Sequence, residues 1–152
     1  MARECNAEII SADSRQVYRG MDIGTSKPHG VWEGGQYVVE NIPYHLVDIV
    51  DPDEEFTLAH YQQRAFETID TILARGVLPL LVGGTGLYIQ AVVDNLSIPA
   101  VEPNAALRKR LAQKSTAELA SILKAVTPAE VIPIDQRNPR RLIRAIEIAL
   151  AA

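Results

Sequence analysis

The sequence predicts an α/β domain, a parallel sheet carrying a helical appendage, on three observations. A short apolar run, Glu8–Ser11, delivers a carboxylate, Asp13, to its C-terminal tip. Two further strand-like runs, Tyr44–Val50 and Val77–Val82, flank a long stretch with apolar residues at helical spacing. A glycine-rich turn, Gly83-Gly84-Thr85-Gly86, then follows the last run where a helix begins. Open α/β sheets bind ligands at the carboxyl ends of their strands, so Asp13 and the glycine turn are expected at one crevice.

Each element has a local reason. Met1–Asn6 reads as the last turn of a preceding element, and Glu8–Ser11 as a buried strand. Lys27–Asn41, with Pro28, Gly30, Gly34 and Gly35, reads as an irregular surface connection. Asp51-Pro52-Asp53 stops the Tyr44–Val50 strand. Thr57 is the expected N-cap of a helix running to Arg75, with Leu58, Tyr61, Ala65, Ile69, Ile72 and Leu73 on one face and Gly76 as its left-handed stop. Val77–Val82 is continuously apolar, the pattern of a strand covered on both faces. Strand, helix and strand in this order predict a right-handed βαβ unit. After Val93 the texture changes: Pro99 and Pro103 lead into short helices over 104–114 and 116–126, Pro128 and Pro133 interrupt, and a last helix starts at Pro139. This divides the chain into an α/β core over 1–95, a helical segment over 96–135 and a basic-faced helix over 136–152 that returns to the core.

At 152 residues and 47% hydrophobic, the chain has enough apolar material for one real core. No apolar run approaches the roughly 20 residues of a membrane span, and no signal-peptide pattern is visible, so no membrane association is expected. The single cysteine, Cys5, cannot form an internal disulfide; it reads as a small buried apolar residue in a cytoplasmic protein. A net charge of −4 speaks against general nucleic-acid binding, so any RNA contact needs a local basic surface.

That surface has a candidate. Arg137, Arg140, Arg141 and Arg144 recur at spacings of three and four, while Leu142, Ala145, Ile146, Ala149 and Leu150 form the opposite, inward face. Such a stripe suits phosphates, although a solvated helix face is its usual explanation. Asp13 has two readings as well. It caps the following turn through the backbone, or it serves as a general base. Arg15 and Gln16 can bond phosphates or base edges in a plane, or simply lie on a solvated turn. Gly83 and Gly84 let the backbone approach a ligand at a helix N-terminus, or merely allow tight packing. His45 reads as structural.

Ser11-Ala-Asp-Ser-Arg-Gln-Val-Tyr18, Gly20-Met-Asp-Ile-Gly-Thr25 with Lys27-Pro28, and Gly83-Gly-Thr-Gly-Leu-Tyr88 together resemble the bacterial tRNA dimethylallyltransferases, which prenylate an adenosine beside the anticodon. The resemblance implies a P-loop NTPase-like parallel sheet. It makes Asp13 the general base and places Thr85 at the reaction centre, with Gly83, Gly84 and Thr85 near the diphosphate. It implies tRNA contacts by Asp13, Ser14, Arg15, Gln16 and Thr85. Gln136-Arg137-Asn138-Pro139-Arg140-Arg141 resembles the family's tRNA-contacting stretch, and Arg108, or in its place Arg110, answers to a further arginine. Partners implied are the tRNA anticodon arm and dimethylallyl diphosphate; Mg²⁺ is the implied cofactor, with no metal ligand among these residues, and the protein is expected to be a monomer.

The family opens with a strand and a Gly-x-x-x-x-Gly-Lys-Ser/Thr loop that hold the diphosphate. That motif is absent here; Gly20–Lys27 has some of its letters without the spacing. The expectation is a fold with the first strand and P-loop missing, incomplete for activity. The rival readings are an adenylate isopentenyltransferase, a P-loop small-molecule kinase and an inactive RNA-binding module.

Overall fold

The computed structural model describes residues 2–127 and 134–151. The chain divides into two compact units, residues 1–98 and 99–152.

The first unit is built on a five-stranded mixed sheet. Strand β1 (Ala7–Ser11) is followed by β2 (Val31–Glu33), β3 (Gln36–Val39) and β4 (Ile42–His45), and after helix α1 (Leu58–Ala74) comes β5 (Leu78–Val82). The order is β2-β3-β4-β1-β5. Parallel pairing joins β1 to β4, with Ile9 opposite Tyr44, and to β5, with Ser11 opposite Val82. Because β1 has partners on both sides, all five of its residues are buried. Its alternation splits the core. Ile10 joins Val17, Tyr61, Ala65 and Ile72 of the main cluster, while Ala7 and Ile9 meet Ala2, Ile42, Tyr44 and Leu80.

Several expectations are corrected. The strand predicted over Tyr44–Val50 is Ile42–His45 instead. Leu46 (φ 60°) and Asp48 (φ 52°) adopt left-handed backbone that turns the chain, and only Val50 returns, bridging to Tyr18. The connection over 27–41 is not irregular, for it holds the antiparallel β2–β3 hairpin. Gly34 and Gly35, both at positive φ, form its two-residue turn between Glu33 and Gln36. The sheet is therefore mixed, where a parallel one was expected. Strand β5 is not covered on both faces; it is the sheet edge, with Leu78 46% and Val82 51% exposed. Pro79, lacking an N–H, suits an edge. Cys5 is exposed, in a turn before β1 where no core reaches it.

Helix α1 starts as predicted. Thr57 Oγ1 accepts from the His60 amide and His60 Nδ1 accepts from the Thr57 amide, both at 3.3 Å, a reciprocal cap. Gly76 (φ 70°) ends it. Tyr61, Ala65 and Ile72 are buried, whereas Leu73 is exposed beyond the apolar stripe. Helix α2 (Gly86–Val93) packs on α1 through Tyr88, stacked on Tyr61 with centroids 3.9 Å apart. Gln62 Nε2 donates to Ala91 O (2.6 Å) and Leu96 O (2.9 Å), tying down the end of α2. Glu8, buried on β1, accepts from both terminal nitrogens of Arg75 (2.7 and 2.8 Å) and pairs with His45 Nε2 at 2.6 Å, so His45 has a structural partner.

The second unit packs α3 (Ala105–Leu111), α4 (Thr116–Val126) and α5 (Pro139–Ala151) around Leu111, Leu119, Leu123, Leu142 and Ile146. Asn104 caps α3, Ser115 and Glu118 form a capping box on α4, and Asn138 Oδ1 accepts from the Arg140 amide at 3.1 Å. Leu150, expected inward, is exposed on the last turn of α5. Pro128 and Pro133 lie outside the described residues.

Candidate active site

The site is assembled where β1 and β5 end side by side. Beyond the Ser11–Val82 pair the two chains interlock: the Ala12 amide donates to Val82 O (2.7 Å), and the Thr85 amide donates back to Ala12 O (3.0 Å). A side chain at position 83 is impossible in this arrangement. A Cβ there would sit 2.2 Å from Ala12 O and 2.3 Å from its carbonyl carbon. Gly83 is therefore demanded by the close approach of two main chains.

Thr85 occupies the N-cap of α2, yet its hydroxyl makes no bond to its own helix. Oγ1 instead accepts from the Ser14 amide at 3.0 Å and shares a bond with Ser14 Oγ at 3.2 Å. A cap normally contributes about 1 kcal/mol to its helix. Here that capacity is diverted to lock the turn after β1 against the turn after β5.

The two carboxylate oxygens of Asp13 have different surroundings, and the turn-capping reading is the one its Oδ1 bonds bear out. Oδ1 accepts from the amides of Arg15 (2.8 Å) and Gln16 (3.3 Å), an Asx turn that fixes the carboxylate plane. Oδ2 has no hydrogen-bond partner among the described residues and lies beside Gly84, where a Cβ would stand 3.5 Å away. The carboxylate is half-buried, oriented by its own turn, with one oxygen presented outward. Arg15 is exposed and its guanidinium forms no ion pair among the described residues, whereas Gln16 turns inward. Gln16 Oε1 accepts from Ser11 Oγ (2.9 Å) while Nε2 donates to Thr25 O (3.3 Å) and Ser26 O (3.1 Å).

The floor of this region is aromatic. Burial, with Tyr18 and Asp13 adding to it, pushes the Tyr88 phenol up to about 12; burial likewise raises Tyr61, whose hydroxyl donates to Ser11 O at 3.1 Å. Both phenols are neutral at physiological pH. Sequence reasoning placed Tyr61 in an apolar stripe and missed this bond, because a tyrosine at helical spacing carries no sign of where its hydroxyl ends.

The predicted basic residues of the second unit divide. Arg140, Arg141 and Gln136 are exposed, Arg137 lies near Asp135 (3.6 Å), and Asn138 and Pro139 form the start of α5. Arg108 and Arg144 converge instead on Glu147, 2% exposed, which accepts from Arg108 Nε (3.0 Å) and Nη2 (2.8 Å), from the Asn104 amide (2.6 Å) and from Arg144 Nη1. Arg144 Nη2 also donates to Val101 O at 2.9 Å. The Arg108 bond, opposed by burial and helped by Asn104 and Arg144, holds the Glu147 carboxyl at about 2. The i, i+3 spacing of Arg144 and Glu147 is the one sign of this cluster that the sequence carries.

Among the described residues no group of three His, Cys, Asp or Glu is placed to hold a metal ion, and no helix is long and apolar enough to cross a membrane. The IPP transferase family model matches residues 16–152. The tRNA dimethylallyltransferase of Roseiflexus sp. (strain RS-1) is 47% identical over 152 residues, covering 97% of this chain and 48% of the relative. The tRNA dimethylallyltransferase 1 of Syntrophus aciditrophicus (strain SB) is 47% identical over 151 residues, covering 98% and 48%. The full-length tRNA isopentenylpyrophosphate transferase from Bacillus halodurans superposes with a TM-score of 0.56 at 39% identity, over 97% of this chain and 48% of that one. A eukaryotic dimethylallyltransferase, solved acting on tRNA, superposes at 0.69 with 26% identity, over 97% and 36%. The P-loop NTPase-like α/β fold expected from the resemblance is the fold of these neighbours. This chain spans about half the length of the curated relatives it matches. On the family match and these identities, the chain belongs to the IPP transferase family.

Proposed function

We propose that these residues form the acceptor side of a tRNA dimethylallyltransferase, which moves a dimethylallyl group from its diphosphate to N6 of the adenosine adjacent to the anticodon. The single observation that carries the reading is the divided carboxylate of Asp13, with Oδ1 spent on its own turn and Oδ2 open beside Gly84.

The exocyclic amine of adenine is a poor nucleophile because its lone pair is delocalised into the ring. As the new N6–carbon bond forms, the allylic carbon–oxygen bond breaks, diphosphate leaves with the bonding pair, and an N6 proton must go. Asp13 Oδ2 takes that proton, a role for which an oriented carboxylate is suited. The adenosine reaches it by leaving the base stack. Ser14 and Thr85 border the same turn, and the Gly86 and Leu87 amides that open α2 offer donors to a departing anion. Arg15 approaches the tRNA backbone near the site, and Gln16 acts through the turn it holds. Arg137, Arg140 and Arg141, with Gln136, Asn138 and Pro139 at the helix start, take tRNA phosphates. Arg108 acts from its seat on Glu147.

The phosphate loop belongs, on this reading, to the part of the family's length that lies beyond these residues. The open edge of β5, ending at the glycine turn, is where another strand adds. Mg²⁺ is proposed for the completed protein only. The described residues do not by themselves make a Mg²⁺ site, since Asp13 Oδ2 is a lone carboxylate oxygen and the hydroxyls of Ser14 and Thr85 bond each other. A cytoplasmic monomer is part of the same proposal.

Transfer from dimethylallyl diphosphate is measured with an anticodon stem-loop and with AMP as acceptors, using residues 1–152 alone and in a form completed with the flanking sequence of the Roseiflexus relative. The completed form is expected to modify the stem-loop and not AMP, and residues 1–152 alone to turn over slowly or not at all. Equal use of AMP would overturn the tRNA reading in favour of a free-nucleotide acceptor.

A further inference from the structure

Directly behind the Asp13 turn lies a buried cation that the chemistry above does not use. The Lys27 side chain is 2% exposed. Its Nζ donates to Tyr18 O (2.9 Å), Asp22 Oδ1 (2.8 Å) and Asp48 Oδ1. Each partner stands on a different segment: the end of the Asp13 turn, the loop over 20–26, and the connection leaving β4. These segments are in turn bonded to the main chain that carries the carboxylate. The Asp48 amide donates to Gln16 O at 3.0 Å and the Ile49 amide to Val17 O at 2.8 Å. The Gln16 side chain grips Thr25 O and Ser26 O, and Thr25 Oγ1 closes the loop onto Met21 O (2.7 Å) and Asp22 O (3.1 Å).

An ammonium buried this deeply is costly unless it is paired. Here burial works against the charge, and the bonds to Asp22 and Asp48 outweigh it, so the Lys27 pKa lies above its ordinary value and the cation persists. Removing it strands Asp48, which is itself only 15% exposed at the side chain and held at positive φ. Lys27 Nζ thus joins all three segments at one atom.

We propose that Lys27 is a positioning residue for Asp13, clamping the 20–26 loop and the 46–50 connection against the turn so that Oδ2 keeps its outward aim. The proposal rests on Asp13 being the acting carboxylate. Lys27 touches neither acceptor nor donor.

Hydrogen exchange of residues 1–152 reads the clamp without any need for turnover. In Lys27→Met the amides of Arg15 and Gln16, which bond Asp13 Oδ1, are expected to exchange about tenfold faster, together with Asp48, while α4 and α5 keep their protection. Lys27→Arg should restore part of that protection. Asp22→Asn, at a partner whose side chain is mostly exposed, should give the same local pattern to a smaller extent if Lys27→Met does not fold. Unchanged rates at Arg15 and Gln16 in a folded Lys27→Met, or in Asp22→Asn, overturn the proposal. In the completed form, Lys27→Met should lower kcat about tenfold while KM for the stem-loop moves less than about threefold. A transferase indifferent to Asp13→Asn, with exchange still governed by Lys27, would defeat the base assignment and leave the clamp as a feature of the turn alone.

Discussion

At the scale of single residues, the two glycines after β5 separate architecture from chemistry. Gly83 faces backbone it cannot displace, so Gly83→Ala is expected to destabilise the first unit by about 3 kcal/mol in urea titration, at the upper end of overpacking costs. Gly84 has ordinary room, with Asp13 Oδ2 at 3.5 Å from an added Cβ. Gly84→Ala should therefore leave stability within about 0.5 kcal/mol of the parent while crowding the outward oxygen and lowering kcat of the completed protein. A stability loss in Gly84→Ala matching that of Gly83→Ala would remove the distinction. Asp13→Asn keeps the Oδ1 bonds of the turn and removes the proposed base. It should cost about 10²–10⁴ in kcat with the denaturation midpoint nearly unchanged. Asp13 was legible in the sequence because a carboxylate directly after an apolar run is a local pattern. That Thr85 would bond Ser14 rather than its own helix was not, because the bond spans 71 positions of the chain.

At the scale of elements, two buried glutamates hold the pieces together and set the acid limit of the fold. Glu8 joins β1 to the end of α1 through Arg75 and to β4 through His45. The Arg75 bond, opposed by burial and aided by His45, holds its carboxyl below the usual range, as Arg108 does for Glu147. Both pKa values are lowered on folding, so their stabilisation is complete above the ordinary carboxylate range and fades as pH falls below it, for Glu147 down to about 2. Thermal midpoints of residues 1–152 should hold level from about pH 7 to 5 and then fall, and the fall should be shallower in Glu8→Gln with Glu147→Gln. An identical acid slope in that pair would show other carboxylates in command. Glu147→Ala removes the buried carboxylate shared by Arg108, Arg144 and the Asn104 amide and should cost the second unit about 3 kcal/mol. The stripe of four arginines was legible as a period; its division into outward Arg140 and Arg141 and inward Arg144 was not, because it depends on what packs beneath α5.

At the scale of the whole molecule, the proposed tRNA substrate requires a chain of net charge −4 to meet a polyanion through a restricted surface. If Arg140 and Arg141 each neutralise one phosphate, replacing both with alanine should weaken anticodon stem-loop binding and reduce the slope of log K against log salt by about 2. An unchanged slope would remove α5 from the interface. The exposed apolar residues of β5, Leu78 and Val82, sit on the sheet edge beside the candidate site. Adding the flanking sequence of a relative should bury that edge, read as slowed amide exchange along Leu78–Val82.

The sequence alone determined the helices, the cap at Thr57, the stop at Gly76 and the aspartate at a strand tip, since period, caps and turn residues act within a few positions. It also held the hairpin signal, Gly34-Gly35 between the Val31–Glu33 and Gln36–Val39 runs. Only the tertiary structure decided that β5 is an edge, that Leu46 and Asp48 turn the chain early, and that Asp13 offers one oxygen while spending the other. Those outcomes depend on which distant groups meet, as Ala12 meets Gly83 and Lys27 meets Asp48, and local pattern carries no record of such partners.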